Sequence, residues 1–178
     1  TEMNSFVMQR PDYWRELILK IRSVYSGKLT YAENWDKYDQ VPFWMELDFI
    51  GVDAYFPISD ERTPRIDELQ ASWQPICQAL QAFSRSMDKQ VLFTEFGYRS
   101  MDRAGKKPWD SSRINGKVNQ QAQANLLQAI FNVFWKEDWF KGGFLWKWFP
   151  DADAYEERQK NRFSVQQKRA GEVVEEYY

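Results

Sequence analysis

The sequence contains no histidine and a single cysteine, Cys77. The absence of histidine excludes Ser-His-Asp and Cys-His catalysis and every metal site built on imidazole. One cysteine cannot form a disulfide within the chain, and the apolar-periodic segment around Cys77 predicts a small buried thiol. Any chemistry must therefore come from carboxylates, tyrosine, lysine or backbone groups.

Long apolar runs and blocks of one charge are missing as well. No run of about 18 apolar residues is present, so we expect no membrane-spanning segment. The 24 Lys and Arg residues nearly balance the 26 Asp and Glu residues, and no basic block supplies the electrostatic footprint that nucleic acid needs. Neither a membrane nor a nucleic acid is an expected partner, and the compartment is left open.

Aromatic residues are abundant, at 17% of the 178 residues, with 9 Trp. The flat C–H faces of sugar rings stack on aromatic side chains, so a histidine-free chain rich in aromatics and carboxylates favours a carbohydrate ligand. A tryptophan-rich core explains the same composition equally well. The length suits one domain or part of one.

Hydrophobic periodicity divides the chain into alternating helices and strands. Helices are predicted at 11–26, 64–88, 120–136 and from about Ser164, with a short helical piece near 42–47. Strands are predicted at 28–35, 47–56, 90–96 and 142–149. Pro75 is expected to kink or split its helix. The polar segment 97–119 is long for a loop in a compact domain, and such loops usually carry function.

This alternation predicts an α/β protein with a parallel sheet. Four strands with helices between them amount to half of a (β/α)8 TIM barrel, which typically takes about 250 residues. No βα turn carries the glycine pattern of a dinucleotide- or phosphate-binding open sheet. We therefore favour the barrel over a doubly wound fold, and we expect an N-terminal part to be missing.

Catalytic groups of a barrel lie where strands end and βα loops begin. Glu95 is the most informative of these, because it interrupts the apolar run VLFTEFG, where a carboxylate is partly desolvated and costly unless used or paired. It suits either catalysis or a buried ion pair with Arg99. The other polar and aromatic side chains at strand ends are Asn34, Trp35, Asp53, Tyr55, Tyr98, Arg99, Trp146 and Trp148.

The order of the motifs resembles a known family. The segments are TEM, PDYWRELILKIRSVYSGKLTYAENW, FWMELDFIGVDAYFP, VLFTEFGYRS, PW and GGFLWKWF. Together they resemble the second half of glycoside hydrolase family 113, in the large clan of (β/α)8 retaining glycosidases. The resemblance implies that residues 1–178 are a partial catalytic domain: the C-terminal half of a TIM barrel, strands 5 to 8 with flanking helices, without strands 1 to 4.

The resemblance also implies roles for particular residues. Glu2 matches the general acid/base that ends strand 4, and Glu95 matches the nucleophile that ends strand 7. Tyr55 is similar to a tyrosine near the nucleophile, and Trp146 to a tryptophan under the sugar in the cleavage subsite; Trp148 lies on the same strand face. The implied activity is retaining hydrolysis of β-1,4-mannan or manno-oligosaccharides, without a metal or organic cofactor.

Position decides whether Glu2 can work as an acid. A retaining pair holds its carboxyl groups about 5–5.5 Å apart, and a residue beside a free chain end is poorly held. Glu2 therefore requires missing sequence, a second chain or a homodimer that completes the barrel. The chain departs from the family pattern at Glu33, where alanine is usual, which predicts an added charge near the barrel interior.

Several candidates keep alternatives open. Arg99 either binds a substrate hydroxyl or pairs with an acid, and Trp109 is either a loop-borne sugar platform or a loop anchor. Asn34 is a candidate hydroxyl ligand. Asp53 is more typical of a structural hydrogen-bond acceptor than of a catalyst.

Two rival hypotheses concern the chain as a whole. One is a carbohydrate-binding protein that keeps the aromatic platform and turns nothing over. The other is a truncated barrel whose exposed apolar strand edges cause self-association. Three tryptophans on predicted helices are expected to be core residues: Trp14, Trp73 and Trp135.

Overall fold

The computed structural model describes residues 3–112, 115–151 and 160–178. Its helices are α1 (Asn4–Gln9), α2 (Pro11–Val24), α3 (Ile66–Met87), α4 (Gln120–Phe134) and α5 (Arg169–Glu175). Its strands are β1 (Ala32–Asn34), β2 (Ile50–Asp53), β3 (Val91–Phe96) and β4 (Phe140–Leu145). The four strands form one parallel sheet in the order β1-β2-β3-β4. The predicted α/β class with a parallel sheet is confirmed.

The helix boundaries differ from the predicted ones for local reasons. α3 runs through Pro75 as one helix, because the helix is exposed there and water can reach the carbonyl that loses its partner. α5 begins later than Ser164, since Gln167 has a positive φ of 60°, which a helix does not contain. The piece near 42–47 is a 3₁₀ turn at Trp44–Glu46, and α1 was not predicted.

The strands are shorter than the apolar runs that predicted them. β1 has 3 residues, and β4 begins at Phe140 and ends before Trp146. Register shifts interrupt the β2–β3 pairing next to Asp53 and the β3–β4 pairing between Phe93 and Phe96. Such bulges bend a strand and re-aim its side chains, and these lie near the strand ends that bear the candidate site.

Helices α3 and α4 bury aromatic side chains against the sheet. Trp73 of α3 is fully buried, with ring centroids 5.5 Å from Phe56 and 5.3 Å from Phe134. Burial of such side chains stabilises the fold by about 1.5–3 kcal/mol each. Trp14 and Trp135 pack against the same core while partly buried. The expectation that all three tryptophans are core residues is confirmed.

Asp48 lies just before β2 and links the start of that strand to α2 and to the segment that precedes β1. Its Oδ2 accepts from Arg22 at 2.6 Å and from the Leu29 backbone at 2.8 Å, and its Oδ1 accepts from Lys28 at 3.1 Å. The Leu29 and Arg22 hydrogen bonds hold the pKa of Asp48 well below its usual range. This carboxylate therefore sets how α2 and β1 sit beside β2.

Within the described residues, β1 and β4 are the edge strands of the sheet, because each of them pairs with one neighbour there. The sheet therefore has two open sides, one along each edge strand. Beside β4, an apolar cavity of about 480 Å³ lies against α5, and its lining includes Phe144, Trp148, Val174 and Tyr178. Phe144 is 65% exposed, a large fraction for an apolar strand residue. No helix in residues 3–112, 115–151 and 160–178 is long and apolar enough to cross a membrane.

Candidate active site

The strand ends bring three of the predicted polar residues into one row. Asn34 is in register with Asp53, and Asp53 is in register with Glu95. Because the strands are parallel, their carboxyl ends meet at one edge of the sheet, as the barrel hypothesis requires. Asn34 is partly exposed there.

Glu95 is held by a tyrosine from the neighbouring strand. The Tyr55 hydroxyl donates to Glu95 Oε2 at 2.8 Å, and Glu95 is partly exposed. Burial, together with the hydrogen bond to Glu95, raises the pKa of Tyr55 far above its ordinary value. Tyr55 therefore remains a protonated donor that fixes one carboxylate oxygen, while Glu95 keeps access to solvent.

Arg99 does not neutralise Glu95 within the described residues. Its guanidinium donates to the Ser111 carbonyl at 3.1 Å and to the Asn161 carbonyl at 3.4 Å, and it lies 5.0 Å above the Phe163 ring. Arg99 thus ties together two loops that border the site. The alternative in which Glu95 is simply the counter-ion of Arg99 loses its basis.

Asp53 lies beside Glu95 in the sheet and is nearly buried. Burial raises its pKa, and a 2.8 Å hydrogen bond from the Thr94 hydroxyl opposes that rise. Since Thr94 immediately precedes Glu95, this bond links β2 to β3 directly under the candidate nucleophile. The structural role predicted for Asp53 agrees with this contact.

Gly97 allows the ends of β3 and β4 to approach closely. A Cβ at this position would lie 2.4 Å from the Trp146 carbonyl oxygen, and the Trp146 amide donates to the Phe96 carbonyl at 2.8 Å. Only glycine tolerates such an approach. Trp146, which is 40% exposed, therefore emerges close in the sheet to Glu95. The peptide bond between Trp146 and Lys147 is cis.

Phe163 is a site residue that the sequence analysis missed. Its ring meets the Tyr55 ring edge-on at 6.1 Å, and it lies 3.6 Å from where a Gly97 Cβ would be. Together with the Arg99 contact, this makes Phe163 a wall beside the Tyr55–Glu95 pair. The available clue was an aromatic residue isolated in the polar stretch KNRFS.

Buried polar side chains hold the segment that carries Phe163. The Gln123 amide, fully buried on α4, donates to the carbonyls of Tyr98 at 2.8 Å and Phe163 at 3.0 Å. The Ser100 hydroxyl donates to the Lys160 carbonyl at 2.7 Å, and the Lys168 ammonium donates to the Ser164 carbonyl at 2.8 Å. Gln123 therefore ties the segment that carries Phe163 to α4.

Trp35 and Trp109 form an aromatic pair at the β1 side of this edge. Their ring centroids are 5.4 Å apart with planes tilted by 32°. The Trp35 ring also packs against the Phe56 ring, with their centroids 5.6 Å apart. This contact supports the pair from the side of the core. The structure thus brings together two tryptophans that are far apart in sequence.

Two of the predicted residues in the described part of the chain, Tyr98 and Trp148, are not brought to this edge as ligands. Tyr98 is fully buried, so its side chain presents no surface to a ligand. Trp148 lines the apolar cavity beside β4 and α5 instead. Glu2 lies outside the described residues.

Glu33 is fully buried on β1, and its charge does not face the barrel interior as expected. Its Oε2 accepts from Asn4 of α1 at 3.3 Å. The Tyr31 hydroxyl lies 3.5 Å from the same oxygen, and the Tyr31 ring packs against Trp14 of α2. Because Tyr31 and Glu33 share one parity along the strand, both side chains point to the helices.

A family comparison adds to this geometry. The family model described as Glycoside Hydrolase Family 113 matches residues 1–168. This chain belongs to glycoside hydrolase family 113. The resemblance seen in the motifs is therefore confirmed over nearly the whole sequence.

Solved structures of family 113 proteins are similar to this chain. A GH113 β-1,4-mannanase in a complex is 28% identical with a TM-score of 0.79, over 97% of this chain and 52% of that one. The GH113 β-mannanase AaManA from Alicyclobacillus acidocaldarius, in complex with ManMIm, is 31% identical with a TM-score of 0.74, over 90% of this chain and 48% of that one. This chain thus spans about half the length of these family 113 structures.

More distant matches share the fold alone. A β-glucuronidase from Faecalibacterium prausnitzii is 15% identical with a TM-score of 0.62, over 93% of this chain and 28% of that one. No curated protein matches the chain. Within the described part of this family 113 chain, no group of three or more His, Cys, Asp and Glu side chains is arranged to hold a metal ion.

Proposed function

We propose that the chain is the C-terminal half, strands 5 to 8, of a (β/α)8 retaining glycosidase that hydrolyses β-1,4-mannan or a related β-linked polysaccharide. The observation that supports this most is the partly exposed Glu95 at the mouth of β3, fixed by Tyr55. That site lies in a chain whose residues 1–168 match family 113. The mannan substrate is supported by the β-mannanases among the similar structures.

The proposed reaction is a double displacement with two carboxylates. Glu95 attacks the anomeric carbon as Glu2 gives its proton to the departing glycosidic oxygen, so one C–O bond forms as the other breaks. Water then attacks the glycosyl–Glu95 ester after losing a proton to Glu2, which releases the sugar and regenerates both residues. The chain itself needs no metal or cofactor for either step.

The other site residues position the sugar and the nucleophile. Tyr55 orients Glu95, Trp146 stacks under the sugar at the bond to be cleaved, and Asn34 binds a hydroxyl. Arg99 acts by fixing the loops around Phe163. For Tyr98 and Trp148, the burial of one and the remote cavity of the other argue against direct contact.

Glu2 can act only if further polypeptide completes the barrel. We propose that the open sides of β1 and β4 pair with another half-barrel, either preceding sequence, a separate chain or a second copy. Unpaired strand edges with exposed apolar residues favour such association. The half-length match to the family 113 structures supports the same proposal.

The test is hydrolysis of β-1,4-mannan by the protein with its barrel complete, followed by NMR of the first anomer released. We expect retention of the β-configuration, and Glu95→Gln should lower kcat by about a thousandfold or more, because the nucleophile is lost. In Glu95→Ala, added azide should restore turnover and give the α-glycosyl azide. Unchanged activity in Glu95→Gln would refute the assignment.

The alternative is a carbohydrate-binding protein without turnover. It is favoured if oligosaccharides quench tryptophan fluorescence while no product forms, even with the barrel complete. The same Glu95→Gln variant then binds sugar as well as the parent protein does.

A further inference from the structure

Trp35 and Trp109, defined here as the aromatic platform, lie at a distance from the candidate nucleophile. Trp35 directly follows Asn34, which is two strands across the sheet from Glu95. Neighbouring strands are about 4.8 Å apart, so the platform lies about 10 Å along the sheet edge from Glu95. One sugar ring bound over Trp146 at the bond to be cleaved cannot also reach it.

The loop that carries Trp109 is held in place by other residues. The Arg62 guanidinium donates to Asp102 at 2.7 Å, and the Lys106 ammonium donates to Asp60 at 3.0 Å. The Ile58 amide donates to the Gly105 carbonyl at 3.0 Å. These contacts fasten the loop to the segment between β2 and α3, so the loop does not depend on the Trp109 ring as its anchor.

Trp109 remains 46% exposed although its ring contacts the Trp35 ring. An indole that served only to close a loop would bury most of its apolar surface. Trp35, by contrast, is partly buried and packs on the core residue Phe56. Trp35 is thus held against the core, while Trp109 stays exposed. The Trp109 ring is therefore suited to stacking against the flat apolar face of a sugar ring.

We propose that the aromatic platform is a remote subsite that stacks one sugar ring of a chain whose cleaved bond lies at Glu95. This rests on the proposed function and deepens it, since the substrate must then be an oligosaccharide or polysaccharide long enough to span both places. The subsite contributes affinity for long chains and leaves the affinity for short ones unchanged. It predicts cleavage within chains.

The test measures binding in the Glu95→Gln protein, which does not consume its ligand, by titration calorimetry with mannobiose and mannohexaose. Trp109→Ala and Trp109→Leu should weaken mannohexaose binding by about tenfold or more, equal to about 1.4 kcal/mol, and leave mannobiose binding unchanged. Trp109→Leu keeps apolar bulk for an anchor but lacks a flat ring, and Trp109→Phe should retain most of the affinity. Tyr13→Ala, which removes a 53% exposed aromatic on α2, is the matched control.

Equal weakening for both ligands, or no weakening in Trp109→Leu, would overturn the platform. So would failure of the Glu95→Gln protein to bind mannohexaose. Hydrolysis by the parent protein separates the two proposals. If mannan is cleaved and Trp109→Leu binds mannohexaose and mannobiose with the affinities of the parent protein, the proposed function stands and the platform falls. If length-dependent binding appears without hydrolysis, the proposed function falls, and the platform stands only as a sugar-binding surface and not as a subsite of a hydrolase.

Discussion

At the scale of single residues, the candidate site depends on how one carboxylate is presented. Glu95 sits beside a register shift between β3 and β4, and its oxygen accepts from Tyr55 at 2.8 Å. A carboxylate with one oxygen fixed and its residue still partly open to solvent suits attack on a sugar carbon. The same side chain buried among helices would suit only a structural role.

Tyr55→Phe is expected to reduce kcat for mannan hydrolysis by about 10- to 100-fold, because a hydrogen bond to a charged group contributes about 1.5–3 kcal/mol. The high pKa of Tyr55 keeps it protonated, so its ionisation should not appear in the pH–rate profile below about pH 10. The measurement is kcat and KM across pH for the completed barrel. Tyr13→Phe, on the exposed side of α2, should match the parent; an unchanged kcat in Tyr55→Phe would contradict the orienting role.

The sequence predicts Glu95 and Tyr55 because both interrupt apolar strands at their ends. The role of Phe163 is harder to predict from the sequence. The contacts that place its ring beside the site come from Gln123 and Arg99, which are 40 or more positions away in the sequence. Tyr98 shows the opposite failure. It follows Gly97 at a strand end, yet the turn there directs its ring into the core, and a strand-end position does not reveal that direction.

At the scale of elements, the helices were easier to predict than the strands. An amphipathic stripe specifies α2 and α4 almost to their ends, because a helix buries one face along its whole length. The strands of a buried parallel sheet are apolar beyond their paired residues, so the pattern extended β1 and β2 too far. The bulges that shorten pairing depend on neighbouring strands, which lie far away in sequence.

Asp48 provides a test of how one element is fixed to the next. Its folded-state pKa is lowered, so its stabilisation is present at neutral pH, begins to fall below about pH 5 and declines further until the pH reaches the lowered value. Asp48→Asn should reduce the free energy of unfolding by about 2 kcal/mol at pH 7 and make stability less dependent on pH below 5. Urea denaturation at pH 7 and pH 3.5 measures both effects.

Asp12→Asn is the matched control for that prediction. Asp12 pairs with Arg15 at 3.2 Å while its side chain is 91% exposed, and exposed pairs contribute about 0–1 kcal/mol. If the two variants lose the same stability at pH 7, the role of Asp48 as a joint between α2 and β2 is wrong.

At the scale of the whole molecule, the sheet has the geometry of a barrel segment, and within the described residues its two outer strands, β1 and β4, each pair with one neighbour. All four strands are parallel and consecutive, and the chain covers 52% of a similar β-1,4-mannanase. The alternation of helices and strands predicted the parallel sheet, since a parallel pair needs a long crossover. What pairs with β1 and β4 cannot be predicted from this sequence.

Self-association gives a prediction at this scale. The isolated chain should sediment as a species larger than a monomer, because Phe144, Trp148 and Tyr178 expose apolar surface next to the β4 edge. Phe144→Lys should shift the distribution towards the monomer. Leu19→Lys, at a 68% exposed position on α2, should leave it unchanged. A wild-type chain that stays monomeric at every concentration would contradict the prediction.

The sequence distance between Tyr55 and Glu95, 40 positions with α3 between them, also governs when the site forms. Pairing of parallel strands that are distant in sequence is slow, because the entropy cost of closing the loop arises before the stabilising contacts form. Glu95 and its hydroxyl partner Tyr55 meet only after β2 and β3 have docked, and Trp146 arrives only when β4 joins. Sugar binding should therefore appear among the last events of refolding.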